Sequence, residues 1–558
     1  MSLPAPAVVH DLGRLRSVAG VLIRHGFGDL AHRLGMIAAV GQTERVLHWK
    51  QPLADLTTAQ RAVRALEELG PTFVKLGQVM ATRVDLFPPE WIAEFERLQD
   101  QVPTVPFEAL RPGLEAALGA PVEKLFGSFE ETPLAAGSLA QVHGATLPDG
   151  RPVVVKIRRP GIRAVIDADL RLLARIAGAA ERDLPELRRF RPRALVRQLS
   201  IALRRELDFE REGRAAERIA EGQPPESGLV VPRVHWGLTR ESVNVQERIV
   251  GIPAHDLSLA DAAGLDRARI AKRGAEAMLR MILIEGFFHA DPHPGNLFLL
   301  PGDRIALIDF GMVGRLSETR RREVADLLLN LAQRDAKEVR RVLAMWTPHA
   351  DGDEALAEAI DEFLDQYHGV RLARLNLGAM LADTVALLRD HRLWLPADLA
   401  MLIKALITLE GFGRRLDPGF DMAGTAEPYL RKVLRDRYRP RALLKRGVRV
   451  AEEFLTLAAE LPRTARRLLA GDKHGRPRVT FDLPRLDRFG RRIDRAASRI
   501  TVGLITAALI VGTSIVMTVS GGPTLMGLPL FGLVGFFGAG LSGIWLVASI
   551  WRGGHSRD

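Results

Sequence analysis

The chain has no cysteine among its 558 residues. Disulfides, thiolate nucleophiles and Cys-based zinc sites are excluded, and the composition fits a reducing compartment. Aromatic residues make up only 6% of the chain, so no mixed aromatic and basic signature marks a nucleic-acid partner. Acids are also short. There are 67 Asp and Glu against 78 Lys and Arg, for a net charge of +11 and a pI near 10.3. With nucleic acid set aside, that excess suits the anionic surface of a membrane. The N-terminus lacks the continuous apolar run of a secretory signal. Asp11, Asp29 and Glu44 argue against a transit peptide, despite Arg14, Arg16, Arg24, Arg33 and Arg45.

One further absence is local. No charged residue occurs between Arg499 and Arg552. The run divides at Ser520-Gly521-Gly522-Pro523 into Ile500–Val519 and Leu525–Trp551, each near the ~20 residues that span a bilayer. Two Gly-rich transmembrane helices joined by a tight turn are expected. Arg485, Arg488, Arg491, Arg492, Arg495 and Arg499 flank one side, and Arg552 and Arg557 the other, which puts both flanks in the cytoplasm.

What is present centres on residues 286–314, GFFHADPHPGNLFLLPGDRIALIDFGMVG. Asn296 follows Asp291 by five residues, and Asp309-Phe310-Gly311 begins eighteen residues beyond Asp291. An Asp, an Asn five later and a DFG are how protein kinases supply a catalytic acid and the ligands of magnesium. Phosphoryl transfer is mostly positioning and charge neutralisation. One carboxylate faces the acceptor, while a carboxylate and an amide oxygen hold the metal on the phosphates. His289-x-Asp291-x-His293 also has alternating zinc-ligand spacing, but Pro292 and Pro294 argue against a regular strand, and no third cluster follows.

Upstream, the chain supplies the remaining parts in order. Thr57 and Thr58 precede a helix that Gly70-Pro71 breaks and restarts. The restarted helix, TFVKLGQVMATR, carries Lys75 and Gln78 on one face, with Gly77 between them allowing close approach. Strands are expected at 126–129, 139–147 and 152–157, with a hairpin turn at Pro148-Asp149-Gly150. Ala135-Ala136-Gly137-Ser138 stands where a kinase has its phosphate loop, since small side chains let backbone N–H groups approach phosphate oxygens. Val153-Val154-Val155-Lys156 matches the strand whose Lys contacts the α and β phosphates. Residues 161–220 read as helical. Glu206 continues the apolar row of Leu199 and Leu203, and Phe209, Glu212 and Ala216 continue a similar stripe. A carboxylate facing a core needs a cation. Lys156 and Lys75 are the candidates, and spacing leaves the pairing open. Strands at 230–236 and 242–249 put Glu247 and Ile249 at the hinge that would bind adenine. A helix over 260–285 and amphipathic helices over 317–470 complete the pattern, with breaks at Pro348, Pro396 and Pro418 and a linker from Gly471.

The assembled order resembles the UbiB/AarF family of atypical kinase-like proteins, which includes the ADCK proteins. The resemblance rests on VKLGQ (74–78), LAAGSLAQVH (134–143), VVVKIRRPGI (153–162), ELDFEREG (206–213), HADPHPGN (289–296) and IDFGMVG (308–314). It implies an α+β, two-lobed protein-kinase-like fold with an N-terminal helical extension and the C-terminal transmembrane pair. The expected segments are 1–122 (extension), 123–252 (N-lobe), 253–470 (helical C-lobe), 471–499 (basic linker) and 500–551 (membrane helices). By resemblance, ATP or ADP binds with Mg²⁺, with Ala135, Ala136, Gly137, Ser138, Lys156, Glu247 and Ile249 on the nucleotide. Lys156 pairs with Glu206, Asp291 is the catalytic-loop acid, and Asn296 and Asp309 hold magnesium. Lys75, Gly77 and Gln78, with Glu212, guard the site. The role implied is in ubiquinone or related prenyl-lipid biosynthesis at a bacterial inner membrane, with the catalytic part on the cytoplasmic side. Membrane lipids, a prenyl-lipid or quinone intermediate, other quinone-biosynthesis enzymes and a second copy of the chain are the expected partners. Two positions depart from the family pattern: Gly137 replaces an Ala of the loop, and Ala215 stands where the family often has Asn.

Overall fold

A computed structural model describes residues 5–36, 56–98, 103–333, 335–346, 354–366 and 376–437, with two short strands at Thr524–Leu525 and Leu528–Pro529. The chain divides into two units, Met1–Arg449 and Val450–Asp558. The expected membrane helices at 500–551, apart from the two strands, the linker, and the end of the helical region lie outside the described residues. No helix among the described residues is long and apolar enough to cross a membrane.

The first unit opens with helices α1 (Ala5–Arg24), α2 (Gly28–Arg33), α3 (Thr58–Leu69), α4 (Pro71–Ala81) and α5 (Pro89–Glu96). Thr57 caps α3 with a reciprocal box: its hydroxyl accepts the Gln60 N–H, and the Gln60 side chain accepts the Thr57 N–H. Gly70 takes φ 94°, which an L-residue rarely adopts, and Pro71 starts α4. Just past α4 lies a pair with no exposure at all. Arg83 Nε donates to Asp85 Oδ1 at 2.8 Å, Arg83 also donates to Leu395 O at 3.2 Å, and Leu395 N–H donates to Asp85 Oδ2 at 3.0 Å. The end of the extension is thereby fastened to the helical lobe.

Helices α6 (Phe107–Leu118) and α7 (Val122–Leu125) lead into β1 (Ser128–Ala136), β2 (Ala140–Thr146) and β3 (Pro152–Arg158). With β5 these form an antiparallel sheet in the order β1-β2-β3-β5. Along β3, Val153, Val155 and Ile157 are buried against α6 residues Phe107, Leu110 and Leu114, at ~1.5–3 kcal/mol for each side chain. Period-two alternation then turns Lys156 to the opposite face. Next come α8 (Ile162–Asp183), a 3₁₀ turn (Pro185–Phe190), α9 (Pro192–Glu206) and α10 (Phe209–Glu221). The expected continuous stripe is broken here. α9 stops at Glu206, and Asp208 caps α10 by accepting the Arg211 N–H. Glu206 and Glu212 therefore stand on different helices.

Beyond β4 (Leu229–Val230), the strand expected over 230–236 gives way to a single bridge, Val234 to Gln246, and a 3₁₀ turn. β5 (Val243–Glu247) and β6 (Ile252–Pro253) follow. The helix expected over 260–285 is divided into α11 (Leu257–Ala262) and α12 (Arg267–Leu279), with a π-helical turn at Arg280–Glu285. Gly264 (φ 70°) interrupts it. β7 (Phe287–His289), β8 (Leu297–Leu300), β9 (Arg304–Leu307) and β10 (Val313–Arg315) carry the catalytic stretch. β7 pairs with β10, and β4-β9-β8-β6 form a second sheet. Helices α13 (Glu318–Gln333), α14 (Ala336–Trp346), α15 (Glu354–Gln366), α16 (Leu377–Asp390), α17 (Ala397–Leu416) and α18 (Met422–Arg437) pack a large apolar core with α12. In the second unit β11 (Thr524–Leu525) pairs antiparallel with β12 (Leu528–Pro529), so Leu525, Leu528 and Pro529, inside the segment expected as a second membrane helix, are in strands.

Candidate active site

A cavity of about 790 Å³ is lined by Lys75, Gln78, Glu206, His289, Asp291, Asn296, Asp309 and Lys404, among others. Four regions distant in sequence thus meet: α4, the end of α9, the loops after β7 and β9, and α17.

His289 sets the frame. Its Nε2–H donates to the backbone oxygen of Asp309, and its Nδ1 accepts the Asp291 N–H at 3.2 Å. Both ring nitrogens are thus held by backbone, which leaves no lone pair for zinc. Burial keeps this imidazole's pKa below its usual value. Asn296 Nδ2 donates to Asp291 O at 3.2 Å, so the amide oxygen is the group it can offer a metal. Asp309 Oδ1 accepts the Gly311 N–H at 2.8 Å, and Oδ2 lies 3.9 Å from Lys156 Nζ. Burial opposes ionisation of Asp309, but Lys156, the Gly311 N–H, His289 and Lys75 outweigh it and hold its pKa at about 2. The fit to magnesium is good: one ionised carboxylate and one amide oxygen are hard donors, and Mg²⁺ completes its shell with phosphate and water. Among the described residues no cluster of three acids or histidines forms a dedicated metal cage.

Two lysine–glutamate pairs stand behind and beside these groups. Lys156 Nζ donates to both carboxylate oxygens of Glu212, at 2.8 and 2.9 Å, and sits 5.3 Å from the centre of the Phe209 ring. Burial alone would lower the lysine's pKa, but Asp309 and Glu212 raise it, so it stays charged. Burial also pushes the Glu212 carboxyl up, against the pull of Lys156. Lys75 Nζ instead meets Glu206 Oε2, at 2.6 Å. The pairing of Lys156 with Glu206 implied by family resemblance is therefore corrected. Glu212 on α10 faces β3, and Glu206 at the end of α9 faces α4. The cap at Asp208 is what turns the two glutamates apart.

α4 lies along the cavity as a cover. Gln78 Nε2 donates to Leu98 O at 3.4 Å. Gly77 lets the helix close on its neighbours, since a Cβ there would overlap Leu98 Cδ1 and meet Leu66 Cδ1 at 3.0 Å. Neither Lys156, which reaches the site through Asp309, nor the other expected nucleotide contacts line this cavity. Ala135 and Ala136 end β1, Ser138 is buried, and the Gly137 N–H donates to Ala140 O at 2.9 Å. Glu247 closes β5 with its N–H on Arg233 O at 2.9 Å, and Ile249 follows it half-buried.

Sequence reasoning missed Lys404. From α17 its Nζ comes within 3.9 Å of Asp291 Oδ1 and 3.5 Å of Glu96 Oε1. No motif points to a lysine more than a hundred residues downstream, and only the packing of α17 brings it there.

A sheet-and-helix N-lobe with a paired strand lysine, above a loop bearing Asp, Asn and DFG, defines a protein-kinase-like domain. The family model of the ABC1 atypical kinase-like domain matches residues 97–343, that of the UbiB helical domain residues 360–421, and that of the ABC1/UbiB kinase-like C-terminal domain residues 484–552. "Probable protein kinase UbiB" of Xanthomonas axonopodis pv. citri (strain 306) is 34% identical over 503 residues, covering 86% of this chain and 90% of that protein. The protein so named in Xylella fastidiosa (strain M12) is 32% identical over 502 residues, covering 87% and 91%. The chain belongs to the UbiB family. Among solved structures, the Rv3197–erythromycin complex from Mycobacterium tuberculosis aligns with a TM-score of 0.39 and 24% identity, over 64% of this chain and 94% of that one.

Proposed function

We propose that the chain is a membrane-anchored atypical kinase or ATPase that binds Mg-ATP and supports ubiquinone or related prenyl-lipid biosynthesis. The observation that carries this reading is the convergence of Asp291, Asn296 and Asp309 on one cavity, with Lys156 held charged 3.9 Å from Asp309. Magnesium bound there would neutralise charge on the transferring phosphoryl group. Asp309 and the Asn296 amide oxygen would hold it. Lys156 orients the α and β phosphates. Asp291 accepts the proton of the attacking hydroxyl or water as its oxygen bonds to phosphorus and the bond to the leaving ADP breaks. Lys404 balances the charge of Asp291.

The anchor is supported by the uncharged stretch between Arg499 and Arg552 and by the family match over residues 484–552. With both basic flanks cytoplasmic, the catalytic unit belongs on the inner face of a bacterial inner membrane. There it would meet lipids, a prenyl-lipid or quinone intermediate, other quinone-biosynthesis enzymes and, as a homodimer, a second copy. Deleting residues 500–551 should release the protein to the soluble fraction; a full-length chain already soluble after lysis would overturn the anchor.

The cover provided by α4 favours a second reading, a nucleotide- and lipid-binding regulator that does no chemistry. ATP turnover of the purified chain with liposomes, wild type against Asp309→Asn, separates the two. Turnover lost by about 10³-fold in the variant supports the enzyme. Turnover no greater than the variant's, with nucleotide binding intact, supports the regulator.

A further inference from the structure

α8 and α9 form a helical hairpin, joined by the Pro185–Phe190 turn, a connection short enough to lay them side by side. Their inner face buries Ile166, Leu173, Leu199 and Leu203 in a core shared with α1 and α4. The outer face holds an open groove of about 770 Å³, lined among the described residues by α8 and α9 alone.

This groove has arginine on both walls. Arg171 stands on α8, and Arg193, Arg197 and Arg204 stand on α9, all exposed, against a single acid, Asp167. Arg193 is shared with Glu181, at 3.4 Å. Arg197 and Arg204 have no carboxylate partner among the described residues. Between the walls the lining is apolar: Leu170 is buried, Val196 is half-buried and Ile201 is 47% exposed. Arg193, Arg197 and Arg204 are spaced i, i+4, i+11, one row along the helix, which runs about 16 Å.

Two features select among anionic partners. Every cation here is an arginine, whose planar fork pairs with a carboxylate through two parallel hydrogen bonds. Leu170 and Val196 are recessed below the exposed arginines. A flat lipid surface would meet the rims and leave the groove empty, whereas a rod with an apolar stripe fills it. A third helix laid on a helical hairpin is the packing that bundles use.

We propose that the α8–α9 groove docks an acidic amphipathic helix of a partner protein. Its apolar stripe, repeating i, i+3, i+4, i+7, lies on Leu170, Val196 and Ile201, and its flanking Asp and Glu pair with Arg197 and Arg204. About three helical turns match the arginine row. The arginines speed encounter and fix direction, and the apolar stripe slows escape. The docking does not rest on the kinase reading, since the groove shares no lining residue with the catalytic cavity.

The test uses the full-length chain held in non-ionic amphipol. The probe is a labelled, helix-stapled peptide of about fifteen residues, with Leu at i, i+3, i+4, i+7 and Glu on both flanks. Its binding is read by fluorescence anisotropy. Arg197→Glu combined with Arg204→Glu should weaken binding by about tenfold or more, and Ile201→Asp by about as much. Raising salt from about 0.05 M to about 0.3 M should weaken wild-type binding severalfold and leave the double variant nearly unchanged. A scrambled peptide of the same composition should bind about tenfold more weakly than the amphipathic one. Equal binding of the scrambled peptide overturns the proposal, because charge alone would then act. So does equal binding to wild type and both variants, or none to wild type. Labelled phosphatidylglycerol vesicles separate the membrane from a protein partner. If the double reversal abolishes their capture while the peptide binds wild type and variant alike, the face is a lipid-binding one and the proposal fails. Peptide binding seen only after residues 37–55 are deleted also overturns it, because the chain would then cover its own groove. If the double variant fails to fold, Ile201→Asp carries the test.

Discussion

The two lysine–glutamate pairs of the site are chemically alike and built differently. Lys156 and Glu212 are joined by two aligned hydrogen bonds, and Glu212 is only 4% exposed. Lys75 and Glu206 touch at 2.6 Å, yet Glu206 Oε2 is buried without an aligned hydrogen bond; each pair has one side chain 19% exposed, Lys156 or Glu206, so alignment and not burial separates them. The first pair ties β3 to α10 inside the N-lobe. The second ties the extension to the end of α9. A pair with aligned hydrogen bonds holds its geometry more tightly than one joined by charge contact without alignment. On this difference the tie between α4 and α9 is expected to be the looser of the two.

The comparison can be broken most directly at Glu212. Glu212→Ala leaves the part-buried Lys156 with only Asp309, 3.9 Å away, and should cost about 2–3 kcal/mol in chemical denaturation. If Glu206→Ala costs as much, the two pairs are equivalent and the distinction fails. Next in size, Lys404→Met should lower ATP turnover by about 10²-fold, because Asp291 loses the cation beside it. An unchanged rate would show that Lys404 serves only Glu96. Lys75→Met should cost less stability than Glu212→Ala, about 1–2 kcal/mol, since the chain also loses an imperfect contact. It should speed amide exchange in α4 while leaving β3 protected; loosening of both would merge the two pairs into one network.

The smallest effect is a pH dependence seated in the core. His143 on β2 is buried between Phe107 and Phe129, and burial lowers its pKa despite the Glu130 and Glu131 carbonyls. The unfolded chain then binds a proton first, so stability is full above the ordinary imidazole value of 6.5 and falls as pH drops below it. His235 and His289 shift the same way. Melting temperature should therefore fall between about pH 7.5 and about pH 5.5, and less steeply in His143→Phe. A slope unchanged in the variant would place the dependence in the other two histidines.

Much of this site was legible in the chain. Asp291, Asn296, Asp309 and Lys156 sit in short motifs whose spacing matches that of kinase phosphate sites. Lys75 and Gln78 were legible as one face of a helix, because helical geometry is local. The partner of Lys156 was not. Glu206 and Glu212 are six residues apart, and a continuous helix would place them differently from two helices joined at Asp208. Asp208 followed two residues later by an apolar-periodic segment was a usable cap signal. Lys404 was beyond reach, because nothing local distinguishes it from any other lysine on an amphipathic helix. Ala135–Ser138 shows the opposite limit. Ala135 and Ala136 belong to β1, and a turn closed by the Gly137 N–H on Ala140 has fewer free donors than a phosphate loop suggests.

The buried Arg83–Asp85 pair bears on the size of whatever reaches Asp291. α4 starts at the Gly70-Pro71 turn, and just past its far end Arg83 and Asp85 are tied to Leu395 by groups with no exposure. A tie with no exposed group opposes the lifting of that end that a hinged door would require. A polypeptide loop with both its strands would need that door open. On the kinase reading proposed above, the bolt at Leu395 would act as a calliper on the acceptor, favouring a slender molecule that enters end first.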